Sequence, residues 1–198
     1  MRHSSFCTMA RSIVLVTGNK NKLKEFLYIA GEDFPIKVEI QDFDLPEYQG
    51  SPEEIVRAKC DLARQQVKGP VIVEDVSLCF NALGGMPGPY IKWFLKNIGP
   101  AGLHKMLHGF ADKTAFAQCI FGYSSGEEGS KIHIFDGRCP GKIVEPRGST
   151  EFGWDPVFEP EGYDKTYAEM APELKNSISH RSKAIAALRN FLNKSESL

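Results

Sequence analysis

Ser12-Ile13-Val14-Leu15-Val16 is a short apolar run that stops at Thr17-Gly18-Asn19 and passes directly into a helical pattern. A buried strand that feeds a helix so abruptly belongs in a sheet with helices packed on it, and few other architectures can hold it. The helical pattern places Leu23, Phe26, Leu27 and Ala30 on one face and ends at Gly31. Ile36, Val38 and Ile40 alternate as in a half-buried strand, and Asp42 to Gly50 reads as a loop. Ser51-Pro52-Glu53-Glu54 is a capping box with proline at the first helical position. The helix it opens is expected to run to about Lys68. Val71-Ile72-Val73 reads as a second buried strand, ending in the acidic pair Glu74-Asp75.

Beyond this β-α-β-α-β start, Gly84 to Pro89 is the strongest loop signal in the chain. A helix carrying Tyr90, Trp93, Phe94 and Ile98 is expected next, then a shorter one around Leu103 to Leu107. Thr114 to Tyr123 and Lys131 to Phe135 read as a long hairpin, Pro140 to Pro160 as irregular chain, and Ser179 to Asn193 as a final helix. The expected fold class is α/β with a mixed β-sheet flanked by helices. One domain over 12–194 is expected, after a tail formed by residues 1–11.

Charge and composition limit the partners. Lys and Arg number 24 against 25 Asp and Glu, a net charge of −1. A general nucleic-acid binder needs a basic excess, so no nucleic-acid partner is expected. No apolar run approaches the ~18 residues of a membrane span. The five cysteines are odd in number, widely spaced and without a C-x-x-C, which points to a reducing, cytoplasmic location.

Three places could carry chemistry. Thr17-Gly18-Asn19-Lys20-Asn21-Lys22 sits at a strand-to-helix turn, where free amides and lysines suit a phosphate; a plain turn with solvated lysines is the alternative. Glu74-Asp75, with Glu47 in the loop emerging at the same edge, suits Mg²⁺, which takes one or two carboxylates plus waters and substrate oxygens. An acidic strand end reaching solvent is the bland account. Lys175, His180 and Arg181 surround the start of the last helix, and Phe152-Gly153-Trp154-Asp155-Pro156 puts two aromatics and an acid in a loop. Such aromatics stack on a base or plug a core. His104 and His108 are four apart, but the zincin glutamate is missing between them, so a surface pair is expected.

Taken together, Thr17-Gly18-Asn19-x-x-Lys22-x-x-Glu25, Glu74-Asp75 and Ser179-His180-Arg181 resemble the three signatures of the inosine triphosphate pyrophosphatases, the Ham1-like family, over about Ile13 to Leu192. The segments DLPEYQG, LCFNALGGMPGPYIKWFL, FGWDPVFEPEGY and TYAEM look like its eukaryotic branch. The resemblance implies an elongated sheet in two lobes with a central cleft. It further implies hydrolysis of ITP, dITP and XTP to the monophosphate and pyrophosphate, dependence on Mg²⁺ with Mn²⁺ as a substitute, and a cytosolic homodimer. By the same resemblance Thr17, Gly18, Asn19 and Lys22 hold the phosphates with help from Lys59 and Lys92. Glu47 and Asp75 bind the metal, and Asp75 activates water. Phe152 stacks on the base, and Gly153, Trp154, Asp155, Lys175, His180 and Arg181 complete the nucleoside pocket. The alternatives are a Maf-like pyrophosphatase of other nucleotides, whose arginine-rich signature is absent here, and a non-catalytic nucleotide-binding protein. Lys175, His180 and Arg181 are mostly donors, which predicts a preference for a six-oxo purine over adenine.

Overall fold

The computed structural model describes residues 12–43, 45–127 and 129–195. The expected tail over residues 1–11 lies outside the described residues. The elements are β1 (Ser12–Val16), α1 (Lys20–Ala30), β2 (Lys37–Gln41), α2 (Pro52–Gln66), β3 (Val71–Phe80), β4 (Pro87–Gly88), α3 (Ile91–Lys105), β5 (Thr114–Ser124), β6 (His133–Ile143), β7 (Phe158–Pro160), α4 (Pro172–Ile178) and α5 (His180–Ser195). They build one seven-stranded mixed sheet in the order β2-β1-β3-β5-β6-β7, with β4 also paired to β3. β1 runs parallel to β2 and β3; β3-β4, β3-β5, β5-β6 and β6-β7 are antiparallel. This is the α/β mixed-sheet fold the sequence predicts. Among the described residues no helix is long and apolar enough to cross a membrane.

Local chemistry sets the helix starts. The Asn19 side chain accepts hydrogen bonds from the amides of Asn21 and Lys22, both at 3.1 Å, and so caps α1. In α2 the Ser51 hydroxyl accepts from the Glu54 amide, and the Glu54 carboxylate accepts from the Ser51 amide at 2.8 Å. Each such cap is worth about 0.5–2 kcal/mol. Gly99, at φ 63°, breaks α3 between the two helices expected there.

Strand alternation sorts the core. Ile13, Leu15 and Ile72 face α1 and α5, packing on Phe26, Phe121, Ile185 and Leu188. Val14, Val16, Val71 and Val73 face α2, packing on Val56, Cys60 and Ala63. A third cluster, around Leu78, Phe80, Leu103, Leu107, Trp154 and Phe158, fills the far half of the sheet. The long strands β3 and β5 join the two halves.

Four expectations change. β3 does not end at Glu74-Asp75 but continues to Phe80, because residues 71–80 all pair with β5. β6 starts later and runs on to Ile143 through Pro140, and β7 lies in the stretch expected to be irregular. Gly137 and Gly141 explain β6: a side chain at Gly137 would lie 2.2 Å from the His180 carbonyl oxygen, and one at Gly141 2.4 Å from that of Glu159. Those glycines look like turn residues but exist for close approach. β2 is an edge strand, largely exposed rather than half-buried; Ile40 is 42% exposed.

Candidate active site

The sheet has an opening. β1 leaves β3 at the pair Val16-Val73, and β4 joins it at Leu78-Gly88. Between them, residues 74–77 have a strand partner on the β5 side only. A cleft of about 900 Å³ occupies this place, lined by the β1-α1 turn, α2, β3, α3, residues 152–154 and the start of α5. Strand ends and interruptions of this kind are where α/β sheets take ligands. Side chains from both sheet faces reach the cleft here, so consecutive residues can serve it in different ways.

Glu74 follows the parity of Ile72 and Asp75 that of Val73. They therefore point to opposite faces. On the α2 side, Lys59 Nζ donates to Asp75 Oδ1 at 2.8 Å and to Glu47 Oε2 at 3.1 Å, while Lys92 Nζ donates to Glu47 Oε1 at 2.6 Å. Burial would raise the Glu47 pKa, but the hydrogen bond from Lys92 and the charge of Lys59 outweigh it, and the net shift is downward. Burial would lower that of Lys59, and Asp75 and Glu47 reverse it. Asp75 Oδ2 is buried and has no partner among the described residues.

On the α5 side, Arg181 is 1% exposed. Its Nε and Nη2 meet Glu74 Oε1, both at 2.8 Å, and its Nη1 pairs with Glu25. Lys175 Nζ donates to the other Glu25 oxygen at 2.6 Å and also pairs with Asp155. Glu74 is held below the usual carboxylate range: burial pushes it up, and Arg181 and then Lys22 overcome that. Burial raises Asp155 to about 6, against the opposing pull of Lys175. His180 is buried between Trp154, at a ring separation of 5.5 Å, and Tyr167, stacked at 6.0 Å. Neither ring nitrogen has a partner among the described residues. Burial first, then Arg181 and Lys175, hold its pKa well below 6.5, so the ring is neutral.

That neutrality has a measurable consequence. Below about pH 6.5 the unfolded chain takes up a proton that the folded His180 refuses, so stability is lost as pH falls. The limit is about 1.4 kcal/mol per pH unit for one proton. Denaturant unfolding from pH 7.5 to 5 should show His180→Asn losing less stability than wild type. Asp155 contributes in the opposite sense, but to both proteins. Equal slopes would mean that His180 titrates normally.

Most of the residues picked from sequence line one cleft: Thr17, Gly18, Asn19, Lys22, Glu47, Lys59, Asp75, Lys92, Phe152, Gly153, Trp154, His180 and Arg181. Asp155 and Lys175 do not line it. They lie behind it, with Lys175 Nζ 3.9 Å from the Phe152 ring centre. Trp154 belongs to the far core as well as to the wall. Asn19 spends its side-chain oxygen on the helix cap. The expected bare donors are corrected too: the charges of Lys175 and Arg181 are balanced by Glu25, Glu74 and Asp155, and only His180 keeps both polar atoms free. Glu25, which closes the Thr17-to-Glu25 signature without an expected role, is the residue that holds both Lys175 and Arg181.

The residues fit a hard divalent cation. Two carboxylates, Glu47 and Asp75, converge on one ammonium, and a buried carboxylate oxygen lacks a partner. Among the described residues no group of three or more His, Cys, Asp or Glu is placed to hold a metal. That excludes neither residue here, because Mg²⁺ keeps several waters and needs only one or two protein carboxylates.

A model of the Ham1 family matches residues 13–191. Among solved structures, a HAM1 protein from Coxiella burnetii superposes with a TM-score of 0.82 at 28% identity, covering 93% of this chain and 100% of that one. The Staphylococcus aureus Ham1 protein gives 0.75 at 28% identity, covering 93% and 99%. A nucleoside-triphosphatase, or dITP/XTP pyrophosphatase, from Mycobacterium abscessus gives 0.69 at 26% identity, covering 89% and 98%.

Proposed function

Since the chain belongs to the Ham1 family, we propose that it hydrolyses non-standard purine nucleoside triphosphates, namely ITP, dITP and XTP, to the nucleoside monophosphate and pyrophosphate. The observation that carries this is the unpartnered, buried oxygen of Asp75, set in one cleft with the Lys22 turn and with the aromatic wall of Phe152 and Trp154. We further propose that the protein acts as a cytoplasmic homodimer of the eukaryotic branch, on the strength of the segments quoted above.

In this reaction the β1-α1 turn and Lys22 bind the phosphates, and Lys59 pins Asp75 by one oxygen. The other oxygen, Oδ2, takes a proton from the water that attacks the α-phosphorus. The new bond forms between that water and phosphorus; the bond to the β-phosphate oxygen breaks, and its electron pair leaves with pyrophosphate. Mg²⁺, which Glu47 and Asp75 would hold, would supply the positive charge that this leaving group needs. Phe152 stacks on the base. His180, with the N–H groups that Arg181 has left over, favours an acceptor oxygen at position six of the purine.

The test is a panel of nucleoside triphosphates with Mg²⁺, scored for pyrophosphate against orthophosphate. Monophosphate and pyrophosphate are expected in equal amounts from ITP and XTP, with activity abolished by excess chelator and restored by Mg²⁺. Release of the γ-phosphate first, or undiminished turnover in chelator, would defeat the proposal.

A further inference from the structure

The described lining of the cleft carries six formal cations, Lys20, Lys22, Lys59, Lys92, Lys96 and Arg181, and four carboxylates, Asp42, Glu47, Glu74 and Asp75. Lys59, Lys92 and Arg181 are already paired within that set. Lys20, Lys22 and Lys96 have no carboxylate within ion-pair distance among the described residues. Of these three, Lys96 alone stands on α3, whereas Lys20 and Lys22 belong to the start of α1. It lies four residues after Lys92 on α3, hence on the same helix face. Both ammonium groups flank the half-exposed indole of Trp93, at 5.6 Å for Lys92 and 5.8 Å for Lys96. An aromatic face attracts a cation without neutralising it. Lys96 is therefore held at the rim with its charge still available.

Resting on the function proposed above, we propose that Lys96 is a further substrate-binding cation, which takes the distal phosphates of the nucleotide and the pyrophosphate product. The charge balance points the same way. The lining has two more cations than carboxylates, and one Mg²⁺ brings the excess to four. A nucleoside triphosphate carries about four negative charges. Without Lys96 the loaded cleft is one positive charge short.

Lys96→Gln and Lys96→Arg test this with two readouts: steady-state kinetics on ITP, and calorimetric binding of inorganic pyrophosphate and of inosine monophosphate. Lys96→Gln should weaken pyrophosphate binding and raise the KM for ITP by about tenfold, the loss of one charge-assisted contact. The kcat and the affinity for monophosphate should stay within about twofold, and Lys96→Arg should restore most of the loss. Unchanged pyrophosphate affinity in Lys96→Gln, or an equal loss for monophosphate, overturns the role of Lys96. If wild type hydrolyses no nucleoside triphosphate, the proposed reaction is wrong, while the pyrophosphate affinities still decide the role of Lys96.

Discussion

Asp75→Asn is expected to lower pyrophosphate release by three orders of magnitude or more while the protein stays folded. The substitution keeps the shape of the side chain. The carboxamide can still accept from Lys59 through its oxygen, and Lys59 retains Glu47 as a charged partner. What disappears is the charge and the unpartnered oxygen, and with them the proposed proton acceptor and one of the two carboxylates proposed for Mg²⁺. Losing a general base costs about 10²–10⁴-fold, and losing a metal ligand adds to it. Turnover is read by pyrophosphate release and folding by a thermal melt. Near-normal turnover in a folded Asp75→Asn would remove Asp75 from both roles, whereas loss of folding would make it a structural residue.

Arg181→Met should be the most destabilising single change at the site. The guanidinium is 1% exposed and balances Glu74 and Glu25. Glu25 would keep Lys175, but Glu74 would keep, among the described residues, only the Cys119 thiol as a hydrogen-bond partner, at 3.1 Å, and the more distant charge of Lys22. Breaking a buried pair by removing one partner costs about 3–5 kcal/mol. For a chain of this size that lowers Tm by roughly 10 °C. Adding Glu74→Gln should return part of the loss, because it removes the orphaned charge. A Tm within about 2 °C of wild type would show that Glu74 finds water or another partner. The finding alters what Arg181 can reveal about base choice: a variant that has lost this pair is first a less stable protein and only then a less selective one.

How far the sequence was legible follows the range of the interactions. The caps on α1 and α2 were readable because Asn19 and Ser51 act within three or four residues of themselves. The buried strands β1 and β3 were readable from apolar runs. β3 was cut short because Glu74-Asp75 looks like a strand meeting water; a charged pair survives inside a strand here only because Lys59 and Arg181 arrive from α2 and α5. β6 was hidden by Gly137, Pro140 and Gly141, where the two glycines serve contact with α5 and β7, elements distant in sequence. The site residues were found largely through signature resemblance. What no local pattern could disclose is the pairing: that Lys175 lies behind Phe152, that Glu25 holds two cations, and that Lys96 is left over.

The placement of Glu74 and Asp75 on opposite faces of β3 carries one more consequence. The carboxylate proposed for hydrolysis, Asp75, and the carboxylate that holds Arg181, Glu74, are successive residues joined by a single peptide bond. Their spacing is thus a fixed gauge, set by covalent geometry and by a ladder to β5 that is continuous from Val71 to Phe80. Under the proposed reaction, the attachment points of the hydrolytic carboxylate and of the carboxylate that holds Arg181 thus keep one interval along the strand.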